Sequence, residues 1–200
     1  MLKLSLVRIA GLTAALLAPA LSVSALRADD MPTGQKGDMM MWIKDAETKL
    51  EQLADAMPEK SYSWRPGKGV RSVGEVYMHV AGANLALPAM AGGPAPPAGF
   101  NNDTYDKSQT KKAEITKALK ESFASMEQAL MNTSDADMDK PTDLMGMKTT
   151  YRGVYLLCLA HCHEHLGQSI AYARMNNVVP PWTAKQNAMM KDQKEKAASK

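Results

Sequence analysis

The sequence predicts an all-α protein, a four-helix bundle with a long crossover between its second and third helices. Three observations carry this expectation. Four segments place apolar residues at helical spacing, and none shows the alternation of a half-buried strand. The prolines fall mostly in short clusters, which leaves room for long helices between them. The stretch 91–107, AGGPAPPAGFNNDTYDK, is rich in Gly, Pro and Asn and has no apolar period. It is long enough to span a bundle, so that the helices on either side of it can run parallel.

Residues 1–25 read as an export signal rather than as structure. Lys3 and Arg8 stand at the front, an apolar run follows from Ile9 to about Leu21, and SVSA ends on the small residues of a cleavage site. Ala28 offers a second end point. The apolar run is short for a membrane span. An uncleaved anchor is the alternative, but cleavage and a soluble mature protein, periplasmic or extracellular, are the expectation.

The bundle is expected over residues 38–182. Its first helix runs from about Asp38 to Met57, with Trp42, Ile43, Ala46, Leu50, Leu53 and Met57 on one face. Pro58 ends it. Ser72 and Glu75 form an S-x-x-E capping box that starts the second helix. Val73, Val76, Tyr77, Val80, Asn84 and Leu87 share its stripe, and Pro88 bends or closes it. After the crossover, a third helix from near Ser108 carries Ile115, Leu119, Phe123, Met126 and Leu130. NTSDADMDKPTDLMGMK reads as a second loop. The fourth helix spans about Thr150 to Asn176, stopped by NNVVPPW. Residues 183–200 are polar and lysine-rich and read as a flexible tail.

The formal charge of +3 becomes +1 once Lys3 and Arg8 leave with the signal. So small a balance gives no argument for a nucleic-acid partner or an anionic membrane. Cys158 and Cys162, the only cysteines, are four apart on one helix. Their Cβ vectors run parallel rather than converging, so two buried free thiols are expected instead of a disulfide.

The chemistry concentrates in HCHEHLGQ, residues 161–168. On a helix, His161 and His165 lie about 40° apart around the axis and about 6 Å apart along it. Two imidazoles so placed can reach one tetrahedral ion. His163 falls on nearly the opposite side and reads as a surface or packing residue. Cys158 shares the face but sits about 10 Å along the axis from His165. A third ligand would have to come from another helix, and the only remaining histidine is His79. His79 lies off the centre of the second helix's stripe, beside the small residues Gly82 and Ala83. His161 lies off the apolar stripe Leu159, Cys162, Leu166, Ile170. A pocket between helices two and four suits both, although the spacing alone is equally met by histidines that are exposed or merely packed.

Two stretches, SYSWRPGKGVRSVGEVYMHVAGAN and HCHEHLGQSIAYARMNNVVPP, resemble the DinB-like superfamily of four-helix bundles, which includes the YfiT-type thiol transferases. The shared elements are a WRP loop, a histidine late in SxGE…H, and a late HxxxHxGQ helix. The resemblance covers about residues 38–182. It implies that His79, His161 and His165 bind a divalent metal and leave positions open to water or substrate. It also places the family's GQ on Gly167 and Gln168. Gly167 carries a helix penalty of about 1 kcal/mol, for which close packing at the site is the expected reason. Gln168 could hold a ligand or water, and Glu164 is a weak general-base candidate.

Three histidines with an open position are the catalytic zinc pattern. Zinc is therefore the expected ion and nickel the second choice. The expectation is a metal-dependent enzyme, thiol-transferase-like or hydrolytic, with a small-molecule substrate. The alternative is a non-catalytic extracytoplasmic protein binding zinc or copper. Methionines in DMMMW and AMMKD offer soft donors to Cu(I), though core filling and tail composition explain them more simply. A bundle with an empty ancestral site is a third reading. A homodimer is compatible with such a bundle.

Overall fold

A computed structural model describes residues 32–199. Residues 1–25, read above as an export signal, lie outside the described residues. Four long helices form the body: α1 (Gly34–Ala56), α2 (Val73–Ala86), α3 (Lys112–Asn132) and α4 (Tyr151–Met175). A hairpin of β1 (Pro141–Leu144) and β2 (Met147–Thr150) precedes α4, and α5 (Pro181–Ala198) follows it.

Contacts along the helices give their directions. Gly74 at the start of α2 meets Ile115 at the start of α3, and Asn84 donates to Ser122 farther along both. α2 and α3 are therefore parallel. Lys112 at the start of α3 donates to the carbonyls of Asp55 and Met57 at the end of α1, and Lys36 at the start of α1 donates to Thr133 just past α3. Those two helices are antiparallel. Tyr172 near the end of α4 reaches the Arg71 carbonyl just before α2, so α2 and α4 are antiparallel as well. The result is an up-down-down-up bundle, and the segment after α2 makes the expected crossing.

Local chemistry sets the boundaries. Ser72 accepts from the Glu75 N–H and Glu75 accepts from the Ser72 N–H, which completes the capping box of α2. Thr150 caps α4 through the Gly153 N–H. α1 starts one turn earlier than expected. Lys36 ties that turn to the end of α3, a tertiary contact that leaves no periodic signal.

The core joins Met40, Ile43, Leu50 and Leu53 of α1 to Tyr77 and Met78 of α2, Phe123 and Met126 of α3, and Tyr155 and Cys162 of α4. Each large apolar side chain so buried contributes roughly 1.5–3 kcal/mol. The expected stripes of α2 and α3 are buried as read. Trp42 is a correction: it is 51% exposed, and Met39 and Met40 fill the core instead. At one helix face Lys44 bridges Glu47 and the buried Glu127. Burial pushes the Glu127 carboxyl up to about 7, against the pull of Lys44.

Two further expectations are corrected. The second loop contains a hairpin. Its two-residue turn, Met145-Gly146, has positive φ at both positions (52° and 88°), and the Asp143 carboxylate accepts from the Gly146 N–H. Methionine rarely takes that conformation, so the usual Asn-Gly signal is missing from the sequence. The terminal segment, expected to lack fixed structure, forms α5. Its Ala, Lys, Gln and Met residues favour helix, Pro181 starts it, and Lys191–Glu195 and Lys196–Asp192 pair across one turn. It buries none of its residues, as its polarity predicts.

Candidate metal centre

Three imidazoles converge between α2 and α4. His79 comes from α2, and His161 and His165 come from successive turns of α4. Their ligand atoms all lie within 4.8 Å of one another, and among the described residues this is the one group of three such side chains. Ring centroids are 5.0 Å apart for His79–His161, 4.8 Å for His79–His165 and 4.4 Å for His161–His165. The Nε2 atoms of His79 and His161 face each other at 3.1 Å. Two nitrogens bound to a tetrahedral ion at about 2.0–2.1 Å stand about 3.3 Å apart. The His79–His161 pair matches that spacing, and the three imidazoles are the donor type that a divalent ion such as zinc takes.

Electrostatics suits a cation ligand set. Burial, then the charge of Arg71 and the neighbouring His165, lowers the His79 pKa to about 4. Burial, then His165, His79 and Arg71, lowers that of His161 to about 3. Both rings are neutral at physiological pH, the form in which imidazole binds metal. The Nδ1 of His161 is buried without a partner. That unsatisfied group is a local cost, of the kind tolerated at functional sites.

A relay orients the third histidine. His165 is buried and its Nδ1–H donates to Gln168 Oε1 at 2.8 Å. Gln168 Nε2 donates to the Tyr172 hydroxyl at 3.0 Å, and that hydroxyl donates to the Arg71 carbonyl at 3.3 Å. With Nδ1 so engaged, the Nε2 lone pair of His165 is left for the centre. Trp64 of the WRP loop packs edge-on against the Tyr172 ring, with centroids 5.4 Å apart. The WRP loop and the HxxxHxGQ helix are thus physically linked, through Tyr172. Sequence reading missed Tyr172, although it stands at i+4 from Gln168 and i+7 from His165, on the same helical face.

Other expectations fare differently. Glu164 is exposed and lies on the helix surface. His163 points away as expected: its Nδ1 meets the Leu159 carbonyl and its ring packs on Trp42. The apolar stripe of α4 is rotated from the expected one. Cys162 and Leu166 of that stripe are buried, whereas Leu159 and Ile170 are only half-buried, and Tyr155, Cys158, His165, Ser169 and Tyr172 complete the buried face. Two polar residues within the buried stripe hid it. The room beside Gly82 is taken by Tyr105 of the crossover, which a Cβ there would approach to 3.0 Å. Gly167 has nothing within 4 Å of a Cβ position, so close packing does not explain it.

Cys158 and Cys162 are free and buried, as read. Burial pushes the Cys162 thiol up to about 12 and the Cys158 thiol higher still, so neither supplies a thiolate. In DMMMW, Met39 and Met40 are buried in the core and Met41 is exposed, so the run does not turn its sulfurs to one point.

A cleft of about 500 Å³ opens beside Gln168, lined also by Arg65, Arg71, Glu75, Asp106 and Lys107; the three histidines do not line it. Gln168 is common to the cleft and to the His165 relay.

The fold has known counterparts. The DinB superfamily model matches residues 43–169, more than half of the chain. A DinB-like protein from Bacillus cereus is similar in structure, with TM-score 0.63 and 19% identity over 74% of this chain and 95% of that one. A DinB-like protein from Bacillus subtilis gives TM-score 0.54 at 18% identity, over 70% and 92%. YfiT from Bacillus subtilis, described as a probable metal-dependent hydrolase with an unusual four-helix bundle topology, gives TM-score 0.59 at 13% identity, over 77% and 91%. At these identities the likeness concerns the fold. No curated protein matches the chain. The matched family model and the shared bundle place this chain in the DinB superfamily.

Proposed function

We propose that the protein is an exported metal-dependent hydrolase whose centre is His79, His161 and His165, with zinc as the ion. The observation that carries this reading is the convergence of three imidazoles, two of them with Nε2 atoms 3.1 Å apart, at a site where no fourth protein ligand closes the set among the described residues. His79, His161 and His165 would hold the ion, which would supply a nucleophile at neutral pH by lowering the pKa of water. The chain's own residues do the rest. His79 and His161 stay neutral and offer lone pairs. Gln168 holds His165 in the tautomer that presents Nε2 inward. The cleft beside Gln168 receives the substrate.

The likeness to YfiT, with its described hydrolytic character, supports this class of reaction. Thiol transfer at the same three histidines is the second reading, since an ion held there would activate a thiol as it would a water. Hydrolysis of p-nitrophenyl acetate by the zinc-loaded protein is the direct test. The expected result is turnover that disappears with a chelator and in His165→Ala. Turnover that persists in both would contradict the proposal.

A further inference from the structure

The cleft beside Gln168 has charged walls, and their orientation is asymmetric. Its acids face the protein. Both oxygens of Glu75 are engaged, Oε1 and Oε2 by the Arg65 guanidinium and Oε2 also by the Ser72 N–H. Asp106 uses Oδ2 to accept from Arg71 Nε at 3.2 Å, and its Oδ1 is buried without a hydrogen-bond partner. Three of the four carboxylate oxygens are engaged within the protein, and the fourth, Asp106 Oδ1, has no solvent access.

The cations face the other way. Arg71 spends only Nε on Asp106, and its two terminal nitrogens have no hydrogen-bond partner among the described residues. Lys107 forms no ion pair among them and lines the same cleft. Asp106 fixes the Arg71 side chain at its inner nitrogen and leaves the outer fork free. A guanidinium fork matches a carboxylate in a planar, two-bond fit. The Arg71 carbonyl ends the relay that runs from His165 through Gln168 and Tyr172, which sets Arg71 beside the centre.

We infer that the substrate carries a carboxylate, held by the free fork of Arg71 with Lys107 alongside, which positions its reactive group at the three-histidine centre. This rests on the metal-centre reading for where the reaction occurs, but anion recognition by Arg71 is a property of the cleft itself. Arg71 is here a binding residue for the substrate, and Asp106 a positioning residue for Arg71.

The test uses two probes of equal length, 3-mercaptopropionate and its neutral amide, titrated into the protein and followed by amide NMR. Each is measured with zinc bound and after chelation. The expected result is a roughly fivefold to tenfold preference for the carboxylate, allowing for the partial exposure of Arg71. The preference should vanish in Arg71→Gln and survive in part in Arg71→Lys, with zinc content unchanged in both. Equal affinities for the two probes in the wild type, or an unchanged preference in Arg71→Gln, would overturn the inference. Failure of the metal centre has a different signature: the protein takes up no zinc, while the charge preference is still read on the chelated form.

Discussion

His79 and His161, 82 positions apart in the chain, bring their Nε2 atoms to 3.1 Å across the α2–α4 interface. The antiparallel packing of those helices makes the contact, and His165, one turn along α4, closes the triangle. Neither helix could build this centre alone. The capping box sets where α2 begins and Thr150 sets where α4 begins, so local signals fix which residues meet.

Gln168 tests the orienting relay. Replacing it by Leu removes the acceptor of the His165 Nδ1–H and frees the ring to take the other tautomer. Partners of this kind are worth about 10–100-fold in metal affinity. Zinc titration against a competing chelator should show a loss of that order in Gln168→Leu. Thermal stability should change little, because Gln168 is only half-buried. Unchanged affinity would mean that the relay does not orient the ligand.

The depressed histidines give the metal-free protein a pH dependence of definite sign. Unfolded, His79 and His161 take up protons near pH 6.5; folded, they resist until about 4 and about 3. The unfolded state therefore binds more protons between those limits, and stability falls as pH falls through them. Glu127 acts in the opposite sense, since its carboxyl is raised to about 7 and its contribution fades as pH rises. Comparing the chelated wild type with His161→Ala isolates the histidine effect. The wild-type melting temperature should drop more steeply from pH 6.5 to 4 than that of the variant. Parallel curves would contradict the assignment.

Export is tested by the mature terminus. Mass spectrometry of the secreted or periplasmic protein should show an N-terminus near Leu26 or Asp29, following the SVSA and Ala28 end points. An intact Met1 in the membrane fraction would contradict cleavage.

Much of this was legible in the sequence, for physical reasons that also mark where legibility ends. α2 and α3 were readable because their buried faces are almost wholly apolar: Ile115, Leu119, Phe123, Met126 and Leu130 are all buried as the period required. α4 was readable as a helix but not in rotation, because His165 and Ser169 occupy its buried face and Leu156 is 48% exposed. Trp42 misled in the same way, since an apolar residue at a core-like position instead covers His163 at the surface. The hairpin escaped because Met145 adopts a turn conformation that its residue type disfavours. Of the centre, helix geometry put His161 and His165 on one face, and only the family resemblance made His79 more than the last histidine available. The cleft was invisible. Arg71, Asp106 and Lys107 are ordinary charged residues until the crossover lays the Tyr105–Lys107 turn along α2.

The central claim is that three particular histidines, and not the fourth, hold one ion. The most direct measurement is the zinc content of the mature protein by elemental analysis, without a histidine tag, across the single alanine variants. One equivalent is expected in the wild type and in His163→Ala, whose ring faces Trp42 and Asp45 of α1. His79→Ala, His161→Ala and His165→Ala should each retain well under one equivalent after dialysis while remaining folded. A full equivalent in His79→Ala together with loss in His163→Ala would contradict the site and the helix geometry on which it rests.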